Sequence, residues 1–425
     1  MKILFITNKL PFPANDGRKN ILMQYIQTIK EIDKNIEVIN ASFVDDEKYL
    51  KNIPTKISKV KELKRPSFLE KIFNILFYSL ILRQWPLQVS LYYSRKTNNT
   101  LLSLIKNEHP THIIYDMVRV APYIPKNFSG KLIMNYDDLL SLRYSRQIKY
   151  IDYIPSILGG VASNFPKSVQ HLISGKWIQK QILKFESALL KKYEIKIATK
   201  FNSLIFTSPK EAKSFKEQTK SNSCIGIPMS YEVNFNMSKR LRYENNRIVF
   251  VGKMDIPHNV AAVLYFCEKI FPLVREQNNN IEFHIIGKDP IQVVRELEKK
   301  YDGVKVIGPV DDLKGLVETS AVFVAPLVFG TGIKTKVIEA LSYNVPVVST
   351  SIGAEGISFS NGLDMFVTDN ETEFANSILQ LVSSTELNNN ISSNGKKLVQ
   401  KEFSKSAMFN KWFKVLKGKE EVSNT

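Results

Sequence analysis

Residues 325–349 read APLVFGTGIKTKVIEALSYNVPVVS, and this stretch decides how the second half of the chain is interpreted. An apolar run ends at Pro326, a loop containing Gly330 and Gly332 follows, and a lysine-rich helix is predicted to begin near Ile333. A second apolar run comes directly after that helix. A strand, a glycine turn, a helix and another strand in this order are typical of a parallel βαβ unit.

The glycine turn and the helix after it also predict an anion site. Two glycines let backbone N–H groups crowd around an anion, the helix start adds a partial positive charge, and Lys334 and Lys336 add full charges. Glu339 follows Gly332 by seven residues, which is about 10 Å along a helix. We expect a diphosphate at the helix start and ribose hydroxyls at Glu339. The alternative is a glycine turn with surface lysines and a solvated glutamate.

The rest of the second half repeats the same alternation. Its predicted strands are RIVFVG, IEFHIIG, VKVIG, AVFVAP and VPVVST, each a short apolar run of the kind found in parallel strands covered on both faces. Three of them end in glycine (Gly252, Gly287 and Gly308), and ligands bind at the carboxyl ends of strands in open parallel sheets. Residues 371–417 are predicted to be helical.

The first half shows a looser version of this pattern. Strands are predicted at 2–7, 36–43, 111–118, 131–138, 202–207 and near 224–227, with helices between them. We therefore predict two doubly wound parallel-sheet domains, residues 1–235 and residues 236–400. Residues 401–425 are predicted to form a helix and tail that cross back to the first domain. The polar segment 238–247 is the predicted linker, and 145–180 is interpreted as an insertion of short helices or a mobile loop.

Composition limits the classes of partner. The chain has 425 residues, 44% of them hydrophobic, and a net charge of +18 that is concentrated in segments 59–96 and 143–200. A basic surface mixed with apolar residues suits an anionic membrane, and no nucleic-acid-binding signature is present, so nucleic acid is not expected. A solvated basic face, with 68–83 packed as a core helix, is the alternative. The apolar run at 72–82 is too short to span a bilayer, which takes about 20 residues.

The cysteines and the N-terminus indicate where the protein works. Cys224 and Cys267 are isolated, which predicts a reducing compartment, and the apolar start of the chain is interpreted as a strand and not as a signal peptide. We expect a cytoplasmic protein, attached peripherally to the inner face of the cell membrane.

Further candidate residues lie in other loops. Lys253, after Gly252, is predicted to point toward the crevice that holds the diphosphate, and Gly17 precedes a helix start in the first domain; each is otherwise a simple turn residue. Asp137 and Asp138 close a predicted strand, where a carboxylate could orient an acceptor hydroxyl; alternatively, Asp138 caps a helix.

Three residues remain open between a role at the site and a structural role. They are Arg119, His258 and Glu355. His109, His112 and His284 are interpreted as structural. No Asp-x-Asp motif is present, so we expect no metal and no cofactor.

Several strings resemble one known family. VFVGKMDIPHNVAAVLYF, FHIIGKDP, VAPLVFGTGIKTKVIEALSYNVPVVST and SIGAEGI resemble the nucleotide-sugar-binding half of family 4 glycosyltransferases, from about Ile248 to Ile357. TNKLPFPANDGRK, MVRVAPYI and YDDLLSLRYSRQ look like counterparts in members that make cell-surface polysaccharides. The resemblance implies a GT-B fold, with two Rossmann-like domains facing a cleft, and transfer with retention of anomeric configuration.

The resemblance also implies roles for residues. Glu339 would contact the donor ribose, Lys253 the donor phosphates, and the loop from Gly330 to Gly332 would surround the donor sugar. Thr331 stands where the family has the first glutamate of its Glu-x7-Glu motif. The second basic phosphate ligand is also absent, since Pro257-His258-Asn259 occupies its place, and our hypothesis is that Lys334 replaces it.

The expected function is therefore transfer of a sugar from a nucleoside diphosphate to a glycan or lipid-linked acceptor. Lys253, Lys334 and Asp138 are the expected catalytic residues. A nucleotide-sugar 2-epimerase on the same scaffold and a catalytically inactive, membrane-docked nucleotide-binding scaffold remain alternatives.

Overall fold

The structure is a computed structural model of the 425-residue chain. It describes residues 1–14, 16–154, 156–157, 174–221, 223–231 and 243–418. Residues 155 and 158–173 of the segment 145–180, and residues 238–242 of the predicted linker, lie outside these ranges.

The chain divides into two compact units. The first comprises Met1–Ser141, Phe185–Ser230 and Lys405–Thr425, and the second comprises Leu142–Lys184 and Tyr231–Ser404. This division differs from the predicted one chiefly at residues 142–184, which were predicted to belong to the first domain, and its later boundaries lie at 230/231 and 404/405 instead of 235/236 and 400/401. The reason is visible in the contacts of the Leu140–Lys149 helix, where Arg146 pairs with Glu355 and Ile154 just beyond it packs on Phe329.

The first unit contains a seven-stranded parallel sheet in the order β3-β2-β1-β4-β5-β6-β7. Its strands are β1 (Lys2–Thr7), β2 (Glu37–Phe43), β3 (Lys59–Leu63), β4 (His112–Asp116), β5 (Lys131–Asp137), β6 (Ser203–Phe206) and β7 (Cys224–Gly226). Its α-helices are Gly17–Ile32, Phe68–Asn74, Leu87–Ser90, Arg95–Glu108, Leu140–Lys149 and Lys176–Ala198 (both shared with the second unit), Pro209–Thr219 and Lys405–Lys417. A π-helix, Ile75–Ile81, continues the Phe68–Asn74 helix, and 3₁₀ turns lie at Glu47–Lys51 and Val118–Tyr123.

The second unit contains a six-stranded parallel sheet in the order β10-β9-β8-β11-β12-β13. Its strands are β8 (Glu244–Val251), β9 (Glu282–Ile286), β10 (Val304–Gly308), β11 (Ser320–Ala325), β12 (Val347–Ser349) and β13 (Phe366–Val367). Its helices are Pro257–Tyr265, Phe266–Ile270 (π), Phe271–Gln277, Gln292–Arg295, Leu297–Lys300, Leu313–Glu318, Thr335–Ser342, Glu371–Ser383 and Thr385–Glu402, with a 3₁₀ turn at Ile151–Tyr153.

Both sheets have the doubly wound order of a Rossmann-like fold. In each, the strand order reverses beside the first strand, so that β1 lies between β2 and β4 and β8 lies between β9 and β11. The buried strands β8, β9, β11 and β12 carry the core of the second unit, with Phe250, Phe283 and Phe323 almost fully inaccessible. The predicted fold class, α/β with two Rossmann-like parallel-sheet domains, is confirmed.

The final helix belongs to the first unit. Trp412 is fully buried and packs edge-on against Tyr25 of the Gly17–Ile32 helix, with ring centroids 5.0 Å apart. Thr28 of the same helix donates a hydrogen bond to the sulfur of Met408 at 3.2 Å. Residues 405–417 therefore complete the packing of a helix that lies near the beginning of the chain.

One predicted alternative does not agree with the structure. Residues 68–81 do not pack as a core helix, because their large apolar side chains are exposed, among them Leu69 at 77% and Ile81 at 70%. Within the described ranges, the helices lack the combination of length and apolar character that crossing a bilayer requires.

Candidate functional site

The glycine loop lies after β11, next to the position where the strand order of the second sheet reverses. Gly330 has φ +146° and Gly332 has φ +69°, values that residues with a side chain rarely adopt. A Cβ on Gly330 would also come within 3.2 Å of the Lys334 side chain. The sequence GTG is therefore dictated by the backbone path, which brings this loop to the start of the Thr335–Ser342 helix.

Lys334 braces the loop from inside. Its ammonium donates hydrogen bonds to the carbonyl oxygens of Thr331 at 2.9 Å and Gly332 at 2.6 Å, and the residue is buried. Its hypothetical role as a phosphate ligand stays a prediction, and the structure adds a role in holding the loop.

Two arginines from the Leu140–Lys149 helix support the same loop. Arg143 Nε donates to Thr331 Oγ1 at 3.1 Å, and Arg146 donates to the carbonyl of Gly330 at 2.7 Å. Arg146 also forms a two-pronged ion pair with Glu355, at 2.6 and 2.9 Å. The Glu355 side chain is only 5% exposed, so this pair is largely shielded from water.

Sequence reasoning missed these arginines because they are distant from the loop in the chain. The available signal was their spacing of three residues in a predicted helix, which puts both side chains on one face. The hydroxyl of Thr331 contacts the Arg143 cation, a contact that a glutamate at this position could also make.

Lys336, in the Thr335–Ser342 helix, packs its side chain against β8. Its Nζ donates to Asn259 Oδ1 at 2.5 Å and sits 4.3 Å from the centre of the Phe250 ring. A Cβ added to Gly252 would come within 2.8 Å of the same Nζ, so the glycine provides the space for this lysine. Burial and the nearby Lys334 cation lower the pKa of Lys336 to about 7, against the opposing influence of Glu339.

Glu339 lies one turn further along the same helix. Burial raises the pKa of its carboxyl group, and Lys336 partly offsets that rise. Burial raises the pKa of the Tyr231 and Tyr343 phenols, and the nearby Glu339 charge raises both further. Tyr231 also donates to the carbonyl of Thr335 at 3.4 Å. The carboxylate thus stands among aromatic groups, a setting that suits a nucleoside.

Lys253 and His258 flank the β8 end of the site. Lys253 is exposed and pairs with Asp255 at 2.6 Å and Asp289 at 3.2 Å. Burial lowers the pKa of Lys253, but these two carboxylates outweigh it and raise the pKa. His258 contacts Phe329 edge-on, and burial together with Lys336, Arg143 and Lys334 keeps its pKa well below the usual value. His258 is therefore a neutral imidazole at neutral pH.

The remaining candidates belong to the first unit. Gly17 is the first residue of its helix, whose N-cap Asp16 accepts from the Lys19 amide at 2.8 Å. Arg119 donates to Gln88 Oε1 at 2.9 Å. Asp138 is buried just before the Leu140–Lys149 helix.

The first unit has a charged cluster at the carboxyl ends of β4 and β5, of which sequence reasoning singled out Asp137 but not Arg18 or Asp116. Arg18 pairs with Asp116, and with Asp137 at 2.7 Å, and Asn135 donates to Asp116 at 3.1 Å. At the start of the Leu140–Lys149 helix, Glu211 accepts from the Leu139 amide and Glu194 from the Ser141 amide. These contacts fix the ends of β4 and β5 and the start of the Leu140–Lys149 helix.

The sequence-predicted residues that belong to the second unit are Gly252, Lys253, His258, Gly330, Thr331, Gly332, Ile333, Lys334, Glu339 and Glu355. The arrangement joins a glycine turn, a helix start and several cations with a carboxylate one turn away, which fits a nucleoside diphosphate. Across the part of the chain that the structure describes, no group of three or more His, Cys, Asp or Glu side chains could hold a metal ion.

Comparison with known proteins finds a family match within the second unit and a relative that matches nearly the whole chain. Residues 245–384 match the family model of Glycosyl transferases group 1. A protein of Klebsiella pneumoniae named "Uncharacterized 44.6 kDa protein in cps region" is 23% identical over 424 residues, covering 97% of this chain and 99% of that protein.

Solved structures share the fold over the whole length. A mutant of S. aureus TarM in complex with Fondaparinux, alpha-GlcNAc-glycerol and UDP has a TM-score of 0.64 at 12% identity, covering 98% of this chain and 100% of the other. Anabaena HepE in complex with UDP has a TM-score of 0.63 at 12% identity, with 99% and 100% covered. The fold is therefore that of GT-B glycosyltransferases. The family match over residues 245–384 supports a glycosyltransferase.

Proposed function

We propose that this protein transfers a sugar from a nucleoside diphosphate to a glycan or lipid-linked acceptor, with retention of anomeric configuration. The observation that carries the proposal is the loop with Gly330 and Gly332 at positive φ, directly before a helix with Lys336 and Glu339. This element lies inside the segment that matches glycosyl transferases group 1.

The site's groups have distinct tasks in this proposal. The helix start and Lys336 bind the diphosphate, Lys253 neutralises its outer charge, and Glu339 accepts hydrogen bonds from the ribose. As the bond between sugar and phosphate breaks, negative charge grows on the leaving diphosphate, and these positive groups stabilise it. Retention follows if the acceptor attacks from the face that the diphosphate leaves, and Asp138 is the proposed group that orients the acceptor hydroxyl.

The relatives suggest the class of donor and product. The TarM and HepE structures are complexes with UDP, and the Klebsiella relative is named for a cps region, which concerns polysaccharide biosynthesis. We take UDP-sugars as the first donors to test and a cell-surface polysaccharide as the product. The proposed location is the cytoplasmic side of the cell membrane.

A binding screen tests the proposal first. Thermal shift with UDP, GDP, ADP, TDP and CMP, followed by their sugar conjugates, should show one nucleoside diphosphate that stabilises the protein. Glu339→Gln should weaken that ligand about tenfold, because the amide is a poorer acceptor for ribose hydroxyls. Glu276→Gln, an exposed glutamate in the same unit, is the matched control and should leave the shift unchanged.

The product then tests the chemistry. With the identified donor and an acceptor, NMR of the new linkage should show the anomeric configuration of the donor. An inverted linkage would contradict the retaining mechanism. Turnover of the donor in the absence of any acceptor would favour an epimerase, and binding without turnover across a broad acceptor panel would favour an inactive scaffold.

A further inference from the structure

In the helix formed by Phe68–Asn74 and its π-helical continuation Ile75–Ile81, the polar side faces the protein and the apolar side faces outward. Asn74 and Ser79 are buried, and they bond to the protein: Asn74 donates to the carbonyls of Ser90 at 3.1 Å and Tyr93 at 2.8 Å, and Ser79 shares a hydrogen bond with the Ser90 hydroxyl at 2.7 Å. The polar side of the helix is therefore the side that packs on the first unit.

The opposite side consists of large apolar residues that face outward. On the first helix these are Phe68, Leu69, Ile72 and Phe73, and on its continuation they are Leu76, Phe77, Leu80 and Ile81. We call these eight side chains the apolar face. Their exposed fractions run from 38% to 77%.

The size of the apolar face is unusual for a surface left in water. Eight side chains at these exposures present on the order of 800 Å² of surface, whereas the largest apolar patch on a monomer is typically about 300–600 Å². The spacing of two apolar residues in every four also runs without interruption over both helical segments, so the patch is continuous along them.

Cations surround this face. Lys64, Arg65, Arg95 and Lys96 are exposed near its beginning, and Arg83 is exposed just after its end. Two contacts fix the first group beside the helix: Thr97 donates to the Lys64 carbonyl at 2.6 Å, and Ser94 donates to Glu70 at 3.1 Å. Lys96 also lines a groove of about 570 Å³ together with Lys59 and Lys61.

We propose that the apolar face inserts into the surface of a bilayer that contains anionic lipids, with the helix lying parallel to the membrane plane. Apolar side chains enter the boundary of the acyl chains while the cations at both ends meet lipid phosphates, which is the arrangement of an interfacial amphipathic helix. The buried Asn74 and Ser79 keep the helix flat on the protein. This inference does not depend on the proposed sugar transfer.

A second copy of the chain is the competing occupant, and the charges disfavour it. In a two-fold symmetric dimer through this face, the cations at its ends would meet those of the partner. A membrane with anionic headgroups supplies the complementary charge.

Vesicle flotation of the full chain tests the proposal. We expect the protein to float with vesicles of phosphatidylcholine and phosphatidylglycerol at 7:3 and to float less with phosphatidylcholine alone. The triple variant Leu69→Gln, Phe73→Gln, Ile81→Gln should lower the partition coefficient about tenfold or more. The matched control Leu102→Gln, Ile307→Gln, Leu363→Gln removes three exposed apolar residues elsewhere and should bind like the original chain.

Two further measurements make the outcome decisive. Both triple variants should keep the melting temperature of the original chain, because the replaced side chains are exposed. An environment-sensitive dye attached to the Leu76→Cys variant should shift its emission to the blue when vesicles are added. The proposal is overturned if neither vesicle type carries the original chain, if the control variant loses binding equally, or if the face variant instead dissociates a dimer. Vesicle binding is measured without donor or acceptor, so failure here leaves the proposed sugar transfer unaffected.

Discussion

At the residue scale, the candidate site depends on partly buried charged side chains on one short helix. Lys336 and Glu339 are one turn apart. Burial lowers the pKa of Lys336 and raises the pKa of Glu339, so it favours the neutral form of each. The sequence predicted both residues because a lysine and a glutamate at this spacing follow a glycine turn. It did not predict Asn259 as the partner of Lys336, because the contact joins different helices.

The first prediction concerns the pH dependence of donor affinity. Lys336 has a pKa of about 7 in the free protein, and a bound diphosphate favours its charged form. Affinity for a nucleoside-diphosphate sugar, whose phosphates stay ionised throughout, should therefore be constant below pH 7 and fall about tenfold between pH 7 and 9. Calorimetric titration measures this.

Lys336→Arg is the control, because a guanidinium keeps its charge throughout this range. Its affinity should not vary with pH. If the original chain and this variant have the same pH profile, Lys336 does not bind the diphosphate.

The second prediction concerns the shielded pair of Arg146 and Glu355. Arg146→Gln leaves a carboxylate at 5% exposure without its main cation, so the free energy of unfolding should fall by about 3–5 kcal/mol. Urea denaturation measures it. The exposed pair of Lys314 and Glu318 is the control, and Lys314→Gln should change stability by less than about 1 kcal/mol. Equal effects would show that the first pair is no better shielded than the second.

At the scale of elements, the strongly apolar parallel strands could be predicted and the edges could not. β1 is found at Lys2–Thr7, as predicted, because a continuous apolar run has few other structures available. β3, with the sequence KVKEL, was missed because it is an edge strand with only Leu63 buried. The π-helical turn at Ile75–Ile81 was also missed, since its apolar spacing resembles that of a core helix.

The third prediction concerns the glycine loop. Gly330→Ala should weaken donor binding at least about tenfold, because φ +146° is nearly closed to alanine and the new methyl group would press on Lys334. Gly362→Ala is the matched control: its φ is +76°, and the nearest atom to a new Cβ is 4.0 Å away, in Phe366. Both variants should lose some stability, but only Gly330→Ala should lose affinity. Retained affinity in Gly330→Ala would show that the loop does not contact the donor.

At the scale of the whole molecule, the assignment of segments to units depends on contacts far apart in sequence. The return of the C-terminal helix to the first unit rests on Trp412 and Tyr25, and the placement of residues 142–184 in the second rests on Arg143 and Arg146. Local patterns predict that such elements exist. They do not specify which sheet each element joins, because that depends on side chains hundreds of residues away.

The fourth prediction separates stability from binding. Trp412→Ala empties a fully buried site in the first unit and should lower the free energy of unfolding by about 3–5 kcal/mol. Affinity for the donor should persist at temperatures where the chain stays folded, because the glycine loop belongs to the second unit. The neighbouring Phe413 is half-buried, so Phe413→Ala is the control and should cost less. Loss of affinity in folded Trp412→Ala would show that the donor site depends on the first unit.

Hydrogen–deuterium exchange with mass spectrometry tests the central claim most directly. With the nucleoside diphosphate that gives the largest thermal shift, we predict strong protection in peptides covering 329–343 and 250–260, where the glycine loop, Lys336, Glu339 and Lys253 lie. If exchange in both segments is unchanged and protection appears only in other peptides, the claim that the pyrophosphate binds at the start of the Thr335–Ser342 helix is contradicted.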